Sequence, residues 1–253
     1  HDALPILEHL PDDVEHICIT GGEPTLIRGE LFPILDLLKK KFPVSGFQFL
    51  SNGRSCGNGD FCRKLVDHFP DNILIGVPLH ADKSDIHDKI SQTTGSFEQT
   101  VQGIKNLLAL HQNVEIRVVV SRLNVDRLLS LGSFIAKEFQ GISHVAFMGM
   151  EMMGNAVKNV DEVWIPYNEA ITACEPVLDN LVAAGIDAML FNYPLCLIQK
   201  KYWYLAKQSI SPYKVRFYEE CNNCLVKESC SGFFQSTKNI KKIDVSSMVN
   251  VNG

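Results

Sequence analysis

The chain has 253 residues, of which 45% are hydrophobic and 21% are charged, and this composition is typical of a globular domain with a continuous core. Its formal net charge of −5 argues against a general affinity for nucleic acid or for an anionic membrane surface. No apolar run reaches the length of about 18 residues that a transmembrane helix needs, so we expect no membrane partner.

Short apolar runs rich in β-branched residues alternate with amphipathic helical patterns along the chain. The strand-like runs recur roughly every 30 to 40 residues, which is typical of βαβ units that build a parallel sheet. Most of these runs are continuously apolar, and we interpret the first one, which contains Cys18, as a buried strand. Strands are predicted at residues 15–20, 46–50, 73–79, 114–120, 144–148 and 187–192, and helices at residues 30–41, 60–68, 96–111, 126–138 and 168–184.

The regular pattern ends after Tyr193, where aromatic residues, turns and cysteines follow up to about Phe234. We therefore divide the chain into an α/β domain at residues 1–192 and a cysteine-rich extension at residues 193–253. Residues 1–10 have the pattern of the end of a helix. The polar tail at residues 240–253 is expected to be poorly ordered.

Polar residues gather at the predicted strand ends, which is where parallel α/β sheets bind their ligands. The first strand stops at Gly21-Gly22-Glu23-Pro24. The two glycines let a ligand approach the backbone closely, and Pro24 fixes the chain beyond them. Glu23 offers an acceptor-only carboxylate that suits a ligand ammonium group. The alternative is a glycine turn with a solvated glutamate.

The following strands carry further candidate ligand-binding side chains. Arg117 lies within the fourth strand, where an unpaired guanidinium would be costly, so we expect it to have a partner. That partner is either a ligand carboxylate or Glu151, which follows the fifth strand. The other candidates are Ser51 and Asn52 after the second strand, His80 after the third and Met148 at the end of the fifth.

The ordered series of motifs resembles the radical S-adenosylmethionine (SAM) superfamily. The segments LSNGR, LHADKSDIHDKI, GSFEQTVQGIKNL and EIRVVVSRLN follow Gly-Gly-Glu-Pro in the order of that family's βα units. The resemblance implies an α/β fold, with a partial (β/α)6 barrel of the radical SAM type at residues 1–192. It also implies roles in SAM binding: the methionyl amine for Gly21, Gly22, Glu23 and Pro24, the ribose for Ser51 and Asn52, the ribose or the substrate for His80, the carboxylate for Arg117, and a place in the same site for Met148.

Within this superfamily, the segments FMGMEMMGNAVKN, NYPLCL, SISPYK and CNNCLVKESCSGFF resemble the His-Xaa-Ser system radical SAM maturases. That resemblance implies a cytoplasmic enzyme that generates a 5′-deoxyadenosyl radical to modify a ribosomally made peptide. It also implies three partners, namely a precursor peptide, an external electron donor and a second maturase. The sequence identifies no catalytic residue.

Four of the eight cysteines gather in the last quarter of the chain. Cys221 and Cys224 form a Cys-x2-Cys pair, Cys230 follows at metal-ligand spacing, and Cys196 in an apolar turn is the expected fourth ligand. Zinc and a 4Fe–4S cluster both accept four thiolates, and the spacing does not separate them. Resemblance to the auxiliary-cluster extensions of peptide-modifying radical SAM enzymes favours iron–sulfur. The alternatives are unligated thiols and, for Cys196, a small buried hydrophobe.

The remaining cysteines and histidines are interpreted as structural. Cys174 lies on a predicted helix, and Cys56 and Cys62 flank a loop-to-helix turn. For these two thiols a redox pair is the alternative. His87 and His111 are expected to be surface or helix-cap residues.

The chain lacks the Cys-x3-Cys-x2-Cys segment that, by this resemblance, holds the SAM-binding 4Fe–4S cluster upstream of Gly-Gly-Glu-Pro. We therefore expect a barrel without its first strand and cluster loop, and a chain that does not cleave SAM by itself. Two other functions stay open, namely a non-catalytic peptide-binding module with a structural metal and a radical SAM enzyme for a small molecule. The cysteine-rich extension favours a peptide modifier over a small-molecule enzyme.

Overall fold

The computed structural model describes residues 4–241 together with Ile243 and Val245. The chain divides into two compact units that alternate along the sequence. Unit 1 is built from the chain up to Leu79, with Lys83–Ile116 and Glu138–Ser143. Unit 2 is built from His80–Asp82, Arg117–Lys137 and the chain from His144 onward. The predicted boundary at residue 192 stays a prediction.

The main sheet has its strands in the order of the chain, β1 to β7, within the described residues. The pairs β1–β2 and β2–β3 in unit 1, and β5–β6 and β6–β7 in unit 2, are parallel. This arrangement confirms the predicted α/β class, a partial (β/α) barrel. The strands are β1 (His16–Ile19), β2 (Gly46–Leu50), β3 (Ile73–Pro78), β4 (Asn113–Val119), β5 (His144–Met148), β6 (Ala188–Phe191) and β7 (Ala206–Lys207).

The five predicted helices are present, with boundaries shifted by no more than about two residues. They are joined by shorter helices in the loops and in the extension, where Val215–Arg216 (β8) and Phe233–Phe234 (β9) form a separate antiparallel pair. The helices are α1 (Leu4–Glu8), α2 (Leu31–Lys41), α3 (Gly59–Asp67), α4 (Ser84–Ser91), α5 (Ser96–Ala109), α6 (Leu128–Glu138), α7 (Asn155–Lys158), α8 (Val160–Val163), α9 (Tyr167–Ala183) and α10 (Gln235–Ile240).

Two predictions about burial are wrong. Cys18 is exposed, because β1 is the first strand of the sheet and, in the part of the chain that the structure describes, pairs only with β2. His87, expected at the surface, is only 2% exposed, because α4 packs its ring edge-on against Phe97 at a centroid distance of 5.7 Å. The central strands β3 and β5 are mostly buried, as their apolar runs predict.

Helix α5 fixes the loop that follows β2. Gly103 packs against this loop so closely that an added Cβ would lie 2.1 Å from the carbonyl oxygen of Gly53. Two side chains of α5 donate hydrogen bonds to the same loop, from Thr100 Oγ1 to Asn52 O at 3.1 Å and from Asn106 Nδ2 to Cys56 O at 2.7 Å. The loop after β2 is therefore held by a helix backbone and by side chains at once.

The start of α5 is capped by a side chain from α4. Asp88 accepts hydrogen bonds from the backbone N–H groups of Gly95 and Phe97 and from Ser96 Oγ, at 2.6 to 2.8 Å. Partial burial opposes ionisation of this carboxyl group, but the three hydrogen bonds outweigh it and lower the pKa of Asp88. Within the described residues, no helix is long and apolar enough to cross a membrane.

Candidate functional site

The Gly-Gly-Glu-Pro turn after β1 needs its glycines for conformation. Gly21 has φ of 108° and Gly22 has φ of 46°, a region that side chains with a Cβ rarely adopt. A Cβ at either position would meet no described atom within 4 Å. The backbone of this turn is therefore accessible, as the close approach of a ligand requires.

Glu23 holds the turn after β1 against the end of β2. Its Oε1 accepts hydrogen bonds from Thr25 N at 3.1 Å, Thr25 Oγ1 at 2.7 Å and Ser51 Oγ at 2.8 Å. Its Oε2 accepts one from Asn52 N at 2.6 Å. Pro24 and Thr25, which follow, are buried. Glu23, Pro24, Ser51 and Asn52, predicted from two separate strand ends, are thus brought together.

This geometry changes the role expected for Glu23. The sequence predicts a carboxylate free to receive a ligand ammonium group, whereas Oε1 already has three donors. Oε2 has one donor and keeps a lone pair available, since a carboxylate oxygen accepts about two hydrogen bonds. The residues therefore fit the amine of SAM through one remaining acceptor position on Oε2 and through the exposed backbone of Gly21 and Gly22.

A cavity of about 810 Å³ lies in unit 1 beside Glu23 and Asn52. Its volume is within the range of roughly 300 to 1,000 Å³ that small-molecule sites occupy. Among the residues that line it, Arg28 and Arg54 were not among the sequence candidates. The signal for Arg54 was its position directly after Ser-Asn-Gly at a strand end. Arg28 lies in the loop after Pro24, a position that carries no recognisable pattern.

The other predicted SAM-binding residues, His80, Arg117 and Met148, belong to unit 2. The carbonyl oxygen of His80 accepts a hydrogen bond from Asn124 Nδ2 at 3.0 Å, and that of Met148 accepts one from Val120 N at 3.0 Å. Arg117 is half-buried within β4. The structure thus holds these strand ends by backbone contacts. Contacts with SAM stay predictions for all three residues.

The alternative that Glu151 pairs with Arg117 gains no support. Glu151 Oε2 accepts a hydrogen bond from Lys214 Nζ at 3.1 Å, and Oε1 accepts one from Ser236 Oγ at 3.4 Å. Nearby, Thr237 Oγ1 accepts a hydrogen bond from Met152 N at 3.0 Å. These contacts anchor the loop after β5 to the cysteine-rich extension.

The four cysteines of the extension line one small cavity of unit 2, as their spacing predicts. Cys196, Cys221, Cys224 and Cys230 all contribute to its wall, and the cavity volume is about 20 Å³. Cys230 Sγ accepts hydrogen bonds from the backbone N–H groups of Leu195 at 3.3 Å and Gly232 at 3.4 Å. Backbone donors at a sulfur stabilise its thiolate form, which is the form that binds metals.

Burial and the neighbouring thiols Cys230, Cys221 and Cys224 raise the pKa of Cys196 to about 12. Burial also raises the pKa of Cys230. Four thiols around one cavity are a suitable donor set for zinc or for a 4Fe–4S cluster. Nevertheless, no group of three or more His, Cys, Asp or Glu side chains in the described chain stands at metal-ligand geometry. Binding would therefore require these thiols to turn towards one another.

Cys56 and Cys62 form a second thiol pair, in unit 1. Both are buried and neither is in a disulfide. A hydrogen bond between the two side chains raises the pKa of Cys56 and lowers that of Cys62. A redox function of this pair stays a prediction.

No family model and no curated protein matches the chain. Solved structures do match it. A domain of pyruvate-formate lyase-activating enzyme from Bacteroides vulgatus has a TM-score of 0.54 at 14% identity, over 69% of this chain and 97% of that one. SuiB from Streptococcus suis bound to S-adenosylmethionine has a TM-score of 0.54 at 13% identity, over 69% of this chain and 38% of the SuiB chain. Coproporphyrinogen III oxidase (HemN) from Escherichia coli, a radical SAM enzyme, has a TM-score of 0.52 at 10% identity, over 68% of this chain and 41% of the HemN chain.

The chain has the fold of radical SAM enzymes. At these identities the likeness establishes the fold alone. The chain spans most of the Bacteroides domain but less than half of the SuiB and HemN chains. Cofactor, substrate and subgroup are therefore matters of proposal.

Proposed function

We propose that this chain forms the SAM-binding part of a radical SAM enzyme that modifies a peptide, of the His-Xaa-Ser system type. The observation that carries the proposal is the hydrogen bond of 2.6 Å that the backbone N–H of Asn52 donates to Glu23 Oε2. It joins the loops after β1 and β2 at the strand ends where parallel α/β sheets bind ligands. The fold shared with SuiB and HemN supports the radical SAM part of this proposal.

The residues of unit 1 have distinct tasks in this proposal. The exposed backbone of Gly21 and Gly22 and the remaining lone pair of Glu23 Oε2 accept the N–H groups of the SAM ammonium. Asn52 uses its Oδ1 for Arg54 N at 2.9 Å, which leaves its side-chain N–H groups for a ribose hydroxyl. Ser51 Oγ donates a hydrogen bond to Glu23 Oε1 and so orients the carboxylate.

SAM held by these residues and bound to a 4Fe–4S cluster would supply a 5′-deoxyadenosyl radical for hydrogen abstraction. The sequence contains no Cys-x3-Cys-x2-Cys segment to hold that cluster. We therefore propose that this chain binds SAM but does not cleave it alone. All eight cysteines are free thiols, in keeping with a reducing cytoplasm.

The extension supports a peptide substrate over a small molecule. Its four thiols surround one cavity, and we assign them to an auxiliary iron–sulfur cluster or a structural zinc. A small-molecule substrate is the second candidate, because HemN, a coproporphyrinogen III oxidase by name, matches with a TM-score of 0.52. A non-catalytic peptide-binding module would keep the same extension.

Isothermal titration of the purified chain with SAM tests the proposal. We expect saturable binding to one site, and binding at least about tenfold weaker for adenosine, which lacks the ammonium and carboxylate groups. Glu23→Ala should abolish binding. Glu30→Ala is the matched control, because Glu30 lies on the same loop, is exposed and makes no side-chain cap.

Circular dichroism checks that both variants are folded. If SAM does not bind, or if Glu30→Ala weakens binding as much as Glu23→Ala, the SAM-binding proposal is wrong. Adding dithionite and measuring 5′-deoxyadenosine tests the second part. Sustained formation of this product would contradict the statement that the chain does not cleave SAM alone.

A further inference from the structure

Within the described residues, the cavity of unit 1 contains a guanidinium group without a protein partner. The guanidinium of Arg28 has no hydrogen-bond or ion-pair partner among the described residues, and Arg28 lines the cavity. Its backbone has φ of 43° and ψ of −106°, which is unfavourable for a residue with a Cβ. Such strain costs of order 1 to 3 kcal/mol and tends to occur at ligand-binding positions. A strained backbone that carries an unpartnered cation at a cavity indicates a binding role.

A second guanidinium, that of Arg54, is held in a fixed orientation in the same cavity. Its backbone N–H donates to Asn52 Oδ1 at 2.9 Å, and its Nε donates to Gln99 Oε1 at 2.7 Å. The two terminal nitrogens of Arg54 have no partner among the described residues. A guanidinium fixed through Nε presents these nitrogens as a fork, which matches the two oxygens of a carboxylate.

The side-chain amides around the cavity also present donors. Asn52, Asn58 and Gln99 each use the carbonyl oxygen for a protein donor, namely Arg54 N, Phe61 N and Arg54 Nε. Their N–H groups have no partner in the described part of the chain. Two guanidinium groups and three amide groups therefore make the wall rich in hydrogen-bond donors. Its ligand must be rich in acceptors.

The charges and the apolar side chains of the cavity wall further restrict the class of ligand that can bind. The cavity also contains Glu98, whose carboxylate has no partner among the described residues, besides Glu23, which already accepts four hydrogen bonds. This charge balance favours a singly charged carboxylate over a phosphate dianion. Leu26, which is 70% exposed, and Phe61 add apolar surface to the wall.

We propose that this cavity binds an acidic segment of a peptide, with Arg54 and Arg28 gripping a carboxylate side chain and Leu26 and Phe61 contacting a neighbouring apolar side chain. The inference rests on the proposed function for the identity of the peptide, which is the substrate. It adds a recognition site formed by the two arginines, in the same cavity that Glu23 and Asn52 line. Peptide carbonyl groups accept hydrogen bonds from the amide N–H groups of Asn58 and Gln99, which the SAM proposal does not use.

Calorimetric titration of the chain with two capped pentapeptides tests this proposal. The acidic probe is acetyl-Gly-Asp-Phe-Asn-Gly-amide, and the neutral probe has Asn in place of its single Asp residue. We expect the acidic probe to bind at least about tenfold more tightly, the effect of a charged hydrogen bond. Arg54→Gln and Arg28→Gly should each lose about tenfold. Arg63→Gln is the matched control, because Arg63 is exposed, pairs with Asp60 and lies outside the cavity lining.

Arg28→Gly separates binding from structure. Glycine tolerates the backbone of position 28, so the variant should unfold at a higher urea concentration than the parent chain although it binds the acidic probe less well. A loss of both stability and binding would mean that Arg28 is merely structural, and this would overturn its role in binding.

The remaining outcomes are equally decisive. Equal affinity for both probes, no binding of either, or an equal loss in Arg63→Gln would overturn the proposal. Tighter binding of inorganic phosphate than of the acidic probe would replace the peptide with a phosphate ligand. Displacement of the acidic probe by SAM would assign the arginines to the cofactor. SAM binding is measured separately on the same chain, so failure here leaves the SAM proposal intact.

Discussion

Glu23 and Asn52, 29 residues apart in sequence, are joined by a hydrogen bond of 2.6 Å from a backbone N–H to a carboxylate oxygen. The acceptor follows β1 and the donor follows β2, so the contact fixes two neighbouring strand ends to each other. The other oxygen of Glu23 adds Ser51 and Thr25 to the same contact. This carboxylate therefore shapes the loop before any ligand is present.

Glu23→Gln should destabilise the chain by about 1.5 to 3 kcal/mol, the contribution typical of hydrogen bonds to a charged group. The amide offers one oxygen in place of two, so its NH₂ group would face either the N–H of Asn52 or the three donors at Oε1. Urea unfolding monitored by circular dichroism measures the change. Glu30→Gln, on the same loop, should stay within about 0.5 kcal/mol of the parent. Equal midpoints for the two variants would contradict this prediction.

Gly103→Ala should destabilise the chain by more than about 1 kcal/mol although alanine is the better helix former. Its Cβ would lie 2.1 Å from Gly53 O and 3.0 Å from Gly53 C, and backbone atoms cannot move aside as a side chain can. The loop that carries Asn52 and Arg54 should shift with α5.

Gly29→Ala is the control for this substitution, because a Cβ at position 29 would meet nothing within 4 Å and the backbone has no positive φ. The measurement is the urea midpoint of each variant. A parent-like midpoint for Gly103→Ala would show that α5 can move away from the loop at little cost.

The sequence predicts the strands and the longer helices correctly because burial of a strand or of one helix face is visible as a hydrophobic period. The prediction from sequence is wrong where the burial of a residue depends on which strands or helices lie next to it in the fold. Ile17, Cys18 and Ile19 have the composition of a buried strand, yet among the described strands β1 pairs only with β2. Helix α4 has only eight residues and is polar on average, so neither the helix nor the burial of His87 was predicted.

In the candidate site, too, some features are predictable from the sequence and others depend on the tertiary fold. The sequence identifies Glu23, Ser51 and Asn52 as strand-end residues, and the structure brings these three together. It cannot show that the carboxylate of Glu23 is already occupied by protein donors, because hydrogen bonds between distant residues depend on the tertiary fold. The approach of four cysteines to one cavity was predictable, since Cys-x2-Cys spacing restricts two of them locally.

His87 should make the stability of the chain depend on pH below about 6.5. Burial lowers its pKa in the folded state, so the unfolded chain binds a proton at a higher pH than the folded chain does. The stabilisation is fully present above the unfolded pKa and is lost as the pH falls from there towards the folded pKa. One such group changes the free energy of unfolding by up to about 1.4 kcal/mol per pH unit.

Urea unfolding at pH 7.5 and at pH 5.5 tests this dependence. The parent chain should lose more stability between the two pH values than His87→Gln, which cannot titrate. His111→Gln is the control, because His111 is exposed. A loss as large in His87→Gln as in the parent would show that other groups cause the pH dependence.

The four cysteines of the extension should bind one metal centre per chain. Under anaerobic, reducing conditions, Co²⁺ added as a probe for zinc should give the absorption of thiolate-bound cobalt, and iron with sulfide should give that of a cluster. Metal at a hundredfold excess over its dissociation constant should stabilise the fold by about 2.7 kcal/mol. Serine substitution of Cys196, Cys221, Cys224 or Cys230 should remove most of the absorption and most of this stabilisation.

Cys18→Ser is the matched control for these variants, because Cys18 is an exposed thiol on β1 and does not line the cavity of the extension. It should bind metal as the parent does. The thiols must turn towards one another to bind, so the parent should also bind more slowly than a preformed site would. If no thiolate absorption appears, or if Cys18→Ser loses as much absorption as the other variants, the four cysteines of the extension serve packing alone.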